Sequence, residues 1–189
     1  MFVQQAFITL SKVLPAVLAP VVLIDLNIDP VWLGIYVSLM AMTALVIQVG
    51  CGSFIIRYGA LRISQISLVM GGLGLLLVPL GLIPILVLSA MTIGGGGAST
   101  PASSHLLGRY SPLKWAPLIF SIKQTAVPVG LLIAGLLGPF LSENFGWRNA
   151  FLIIAAACIV FAVMLQPVRW KFDSDRDTTR KFHLSDFKR

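Results

Sequence analysis

Apolar residues run through this chain in six blocks, at about 2–26, 31–56, 61–78, 84–107, 117–141 and 147–166, with polar residues gathered in the short breaks. A helix rises about 1.5 Å per residue and the hydrocarbon core of a bilayer is roughly 30 Å thick, so about 20 mostly apolar residues cross it. Each block has about that length. The breaks carry turn chemistry: LNIDP, RYGALR, VPLGLIP, GRYSPLKWAP and SENFGW, in order. The pattern predicts an all-α polytopic membrane protein. Six transmembrane helices occupy residues 1–168, a basic tail follows over 169–189, and no room is left for a soluble domain.

Composition agrees: 57% of the 189 residues are hydrophobic and 11% are charged, where soluble domains carry about a quarter charged residues. The net charge of +7 does not point to nucleic acid, because its placement follows membrane insertion. Arg57, Arg62, Arg109, Lys114 and seven cations after residue 168 fall on one side of the predicted bundle, and only Arg148 on the other. Lys and Arg are retained in the cytoplasm. The expectation is an inner (plasma) membrane protein embedded in the lipid bilayer, with both termini cytoplasmic. No secretory signal is expected, since MFVQQAFITL lacks a positive start and the apolar run after it is too long. Cys51 and Cys158 lie far apart in apolar runs, which suggests neither a disulfide framework nor a metal site. No cofactor is expected.

The chain also echoes itself. GSFIIRYGALR at 52–62 resembles GPFLSENFGWR at 138–148, each closing the second helix of a three-helix unit. The charge bias puts these two loops on opposite sides, the pattern of a 3+3 inverted repeat.

Six helices with this second loop resemble the N-terminal half of the major facilitator superfamily. Gly52, Arg57 and Gly59 match that family's G-x-x-x-D-R-x-G-R-R loop at its spacing. Ile56 stands in place of the acid, Ala60 and Leu61 in place of the basic pair, and Arg62 one position beyond. IKQTAVPVGLLIAGLLGPF with GWRNAF is similar to the family's fifth and sixth helices, and LAPVVLIDL with GIYVSLMAM to its first and second. The resemblance implies a secondary active transporter working by alternating access, with Gly59 as the tight turn, Gly52 allowing close helix packing, and Arg57 and Arg62 helping to latch a gate. Two family signatures are missing. Ala90 stands where proton-coupled members often carry arginine, and Gly135 is off register for the antiporter pattern that Gly138 and Pro139 fit.

Ionisable groups inside a membrane are costly and are candidates for function. Lys12 falls near the middle of the first helix with no acid beside it in sequence; the nearest, Asp25, is expected at the far membrane surface. It either faces a wet cavity that suits an anion or a carboxylate of another helix, or snorkels to the surface. Lys123 carries the same two readings. Gln48, Gln124 and Thr125 are candidates for bonding substrate or neighbouring helices. His105, beside Ser104, reads as a surface or interhelical histidine rather than a proton relay. Gly94, Gly97, Gly130, Gly135 and Gly138, with Pro139, predict small faces that let helices pack closely. Pro15, Pro20 and Pro128 predict local breaks in helices one and five.

With two lysines inside the helices and acids only at their ends, the small-molecule substrate is expected to be an organic anion. An intramembrane serine protease is disfavoured, because the serines of GASTPASSH and the histidine His105 share one helix. The chain is not expected to be an enzyme. Because such transporters hold substrate between two six-helix halves, the partner is a missing C-terminal half or a second copy. The alternative is a non-transporting partner subunit or truncated paralogue.

Overall fold

A computed structural model describes residues 1–172, and the tail expected beyond them lies outside the described residues. The first apolar block forms two helices, α1 (Phe2–Val17) and α2 (Ala19–Leu26), which meet at Leu18 with a bend of 47°. Pro20 explains the position. It sits in the first turn of α2, where its missing N–H is not needed, and its ring would clash with the carbonyl four residues back in a continuous helix. Asn27 ends α2 with φ 52°, a left-handed conformation that asparagine tolerates better than most residues. The Asp29 carboxylate then accepts the Val31 N–H at 2.8 Å and starts the next helix.

The second block is α3 (Val31–Tyr58) and the third α4 (Ala60–Leu77). The fourth splits into α5 (Ile83–Gly95) and α6 (Ser99–Tyr110), joined by a single tight turn at Gly96–Ala98. The glycine run thus breaks helical regularity here, in addition to packing closely. The fifth block is α7 (Ala116–Phe145), whose 30 residues continue through Pro128 and Pro139 without interruption. The break expected at Pro128 is therefore absent. The sixth is α8 (Trp147–Met164), followed by α9 (Gln166–Phe172), so helix continues past the boundary expected at residue 168. Among the described residues, and with α5 and α6 taken as one, five helices are long and apolar enough to cross a membrane, or six counting the bent α1–α2 pair as one span.

The inverted repeat is visible in two turns. Gly59 joins α3 to α4 with φ 96° and ψ 143°, and Gly146 joins α7 to α8 with φ 84° and ψ 150°. Each donates its N–H four residues back, to Ile55 and Ser142, at 2.9 Å. Each accepts from four residues on, Ile63 and Ala150, at 3.1 Å. A backbone in this region is open to glycine and little else. Aligning the repeat on these glycines opposes Arg57 to Asn144 and Gly52 to Pro139, one residue away from the register that the two sequence stretches suggest.

Packing repeats the same exchange. Span one rests on span five and span four on span two, while spans three and six pack against each other. Close approach depends on glycine, as expected in lipid where no hydrophobic force draws helices together. A Cβ at Gly130 would lie 2.7 Å from the Ala6 carbonyl oxygen. At Gly94 it would lie 2.5 Å from that of Met40, and at Gly97 3.0 Å from that of Ala44. Gly138 is looser, facing side chains of Leu14 and Val17 at 3.2 and 3.3 Å. Three expectations need correction. Gly52 and Gly135 would meet nothing within 4 Å, and Pro139 is exposed, so none of these packs a helix among the described residues. Gly72 and Gly74 do: their Cβ positions fall 3.0 Å from the Ala155 carbonyl oxygen and 3.1 Å from that of Ser89. The core between these contacts is built of Leu14, Leu18, Leu75, Ile93 and Phe151.

Candidate functional site

Two polar regions and an apolar cleft stack along the bundle. The lowest, toward the end that carries the Gly59 turn, joins spans one, four and five. Lys123 is buried, at 4% exposure, and donates from Nζ to the Thr100 carbonyl at 3.1 Å and to Ser104 Oγ at 2.7 Å. The Ser104 hydroxyl in turn donates to the Thr100 carbonyl at 3.0 Å, as Ser103 does at 2.9 Å. From α1, the Gln4 amide donates to Ser99 Oγ, and that of Gln5 to Thr100 Oγ1 at 3.3 Å. Both glutamines are buried, and their Oε1 atoms have no hydrogen-bond partner among the described residues. Lys123 is thus tied to neutral acceptors on a neighbouring helix. Nothing in the sequence pattern singled out Gln4, Gln5, Ser99 or Thr100, because they meet only when spans one, four and five are laid side by side.

Lys12 stands above this cluster on α1. It is half-buried and has neither a hydrogen bond nor an ion pair among the described residues. The other sequence candidates do not join it. Gln48 is exposed on α3, and Gln124 and Thr125 are exposed on α7, on faces turned away from Lys123. The Thr125 hydroxyl bonds back to the Ile122 carbonyl at 2.7 Å, within its own helix. His105 is exposed on α6.

Above Lys12 an apolar cleft opens between spans one, two and four, with about 650 Å³ of empty space when its open side is included. Its walls include Pro15, Ala19 and Val22 from span one, Trp32 and Tyr36 from α3, and Phe151 from α8. The Tyr36 hydroxyl is engaged: it donates to Ser89 Oγ at 2.9 Å, which donates to the Gly74 carbonyl at 2.8 Å. Gly74 has no side chain to hold Ser89 away, which lets this bond join spans two, four and three.

The two ends of the bundle differ. At the end beyond the cleft, the Asp25 carboxylate meets the Arg148 guanidinium at 3.0 Å and the Trp147 indole N–H at 3.1 Å. Arg148 also lies 4.4 Å over the Trp147 ring. These bonds pin the bent first span to the start of α8. At the opposite end, Gly59 is buried, Arg57 lies 5.5 Å from the Tyr58 ring centre, and Arg62 is exposed. Cys51 and Cys158 are buried and unpaired as thiols. Among the described residues no three His, Cys, Asp or Glu side chains come together as a metal site would require.

A six-span bundle with an internal inverted repeat and polar groups buried between spans one, four and five is transporter architecture. The family model of the Major Facilitator Superfamily matches residues 1–185. The chain belongs to this superfamily. A Bacillus subtilis (strain 168) protein named as the uncharacterized transporter YybO is 28% identical over 168 residues, covering 85% of this chain and 39% of that protein. A rice (Oryza sativa subsp. japonica) protein named as a probable chloroplastic anion transporter 5 is 26% identical over 112 residues, covering 58% of this chain and 24% of that protein. The chain therefore spans well under half the length of these curated relatives. As a superfamily member it is an integral membrane protein of a transporter family.

Proposed function

We propose that this superfamily chain forms one six-helix half of a secondary transporter for a small organic anion, and is not itself an enzyme. The second half is supplied by further chain or by a second copy. Substrate is held against spans one, four and five, and the halves rock around it to give alternating access. The observation that carries the anion is the charge inside the spans. Among the described residues Lys12 and Lys123 are the only charged side chains away from span ends, while Asp25, Asp29 and Glu143 lie at the ends. Lys123 is already bonded to span four, so Lys12 is the cation free to meet a substrate. The name of the rice relative supports the same class.

The test is transport by the full-length protein reconstituted in liposomes. Lys12→Gln is expected to abolish uptake of organic anions while the amount of protein in the membrane is unchanged. Unaltered transport kinetics in that variant would remove the proposal.

A further inference from the structure

We infer that the substrate is an amphipathic anion whose charged head meets Lys12 and whose compact apolar body fills the cleft above it. This rests on the transport reading and narrows it. Three observations on span one and its neighbours support it.

The first is register. Lys12 and Pro15 are three residues apart on α1, which places them on one face of that helix. Pro15 lines the cleft, as do Ala19 and Val22 from α2 beyond the bend. Lys12 stands one turn below Pro15, about 4.5 Å along the α1 axis at 1.5 Å per residue. The four-carbon stem of a lysine covers that distance. The second observation is the state of the ammonium group. It is half-buried with no partner among the described residues, and an ammonium group taken from water gains from an anion brought to it.

The third is the chemistry of the cleft. Its walls are aliphatic and aromatic, and the Tyr36 hydroxyl already donates to Ser89. A polyhydroxylated body would lose hydrogen bonds to water there and regain few, which disfavours its binding. An apolar body loses nothing and removes its surface from water. An uncharged lipid chain would also suit the walls, but it would have no use for the cation at the floor.

The test is equilibrium binding of radiolabelled phenylacetate to the full-length protein in phosphatidylcholine nanodiscs. Benzyl alcohol serves as the uncharged competitor and gluconate as the anion with a polar body. Phenylacetate is expected to bind about tenfold or more tightly than either. Lys12→Gln is expected to weaken it by about tenfold or more, the scale of one lost charged hydrogen bond. Leu23→Trp, which fills the cleft from a half-buried position, is expected to do the same. Ile28→Trp is a second filling variant should Leu23→Trp fail to fold.

Gluconate binding that depends on Lys12 but not on the filling variants overturns the apolar body and leaves the anion transporter standing. Benzyl alcohol binding as tightly as phenylacetate, with Lys12→Gln silent, also overturns it and makes the cleft a lipid or solvent pocket. If neither anion binds and neither is transported, both readings fall.

Discussion

Lys123 is a buried cation with no carboxylate bonded to it among the described residues, held by a carbonyl and a hydroxyl of α6. Removing one of the two acceptors of a buried charge leaves it under-satisfied, which costs more than removing the charge itself. Ser104→Ala is therefore expected to destabilise the protein by about 1–3 kcal/mol. Lys123→Met keeps the side chain's length and leaves Ser104 still donating to Thr100, so it is expected to change stability little. Thermal unfolding of the two variants in the same detergent checks this. A larger loss in Lys123→Met than in Ser104→Ala would mean that the ammonium group itself holds spans four and five together. At the same scale, Lys12 and Lys123 look alike in the sequence, each a single cation in an apolar run. What separates them is the neighbour: a pair of acceptors on α6 meets Lys123, and none among the described residues meets Lys12.

Turns and bends decide where these side chains stand. Gly59 and Gly146 have nearly the same φ and ψ and the same pair of hydrogen bonds, in loops at opposite ends of the bundle. Equal geometry implies equal strain, so Gly59→Ala and Gly146→Ala are each expected to cost about 1–3 kcal/mol. Gly146 is the cleaner case, because an added Cβ there meets nothing within 4 Å and any loss comes from the backbone alone. Chemical denaturation of both variants checks the equality. A loss at only one would mean that the two turns are not equivalent parts of a repeat. These two glycines were legible in the sequence because turn chemistry interrupts an apolar run at each. The spans were legible too, through their length. The faces of the spans were not. In lipid, a face turned to the bilayer and one turned to a neighbour are equally apolar, so Gly135 and Gly74 read the same. Only the fold shows that Gly74 admits Ser89 while Gly135 faces outward. Proline was ambiguous in the same way: Pro20 marks the bend beside Leu18, and Pro128 sits in an unbroken helix.

At the scale of the whole molecule, the charges at the two ends of the bundle predict which end faces the cytoplasm. The Gly59 end carries Arg57, Arg62, Arg109 and Lys114. The other end carries Arg148, paired with Asp25, together with Asp29 and Glu143. Lys and Arg loops stay on the cytoplasmic side, so the Gly59 end is expected there, and the cleft then lies toward the opposite surface. The described cysteines favour a direct test, because Cys51 and Cys158 are 4% and 1% exposed and give little background to a thiol reagent. Leu113, in the loop before α7, is 96% exposed; Glu143, near the end of the same helix, is exposed as well. A membrane-impermeant maleimide added to intact cells is expected to label Glu143→Cys at once, and Leu113→Cys only after the cells are opened. The two positions lie 30 residues apart in sequence, close to opposite ends of α7, so a single helix supplies both readings. The reverse labelling would place the cleft on the cytoplasmic side. An anion would then reach Lys12 from the cytoplasm through the cleft, and from outside only past the bonded Lys123 cluster.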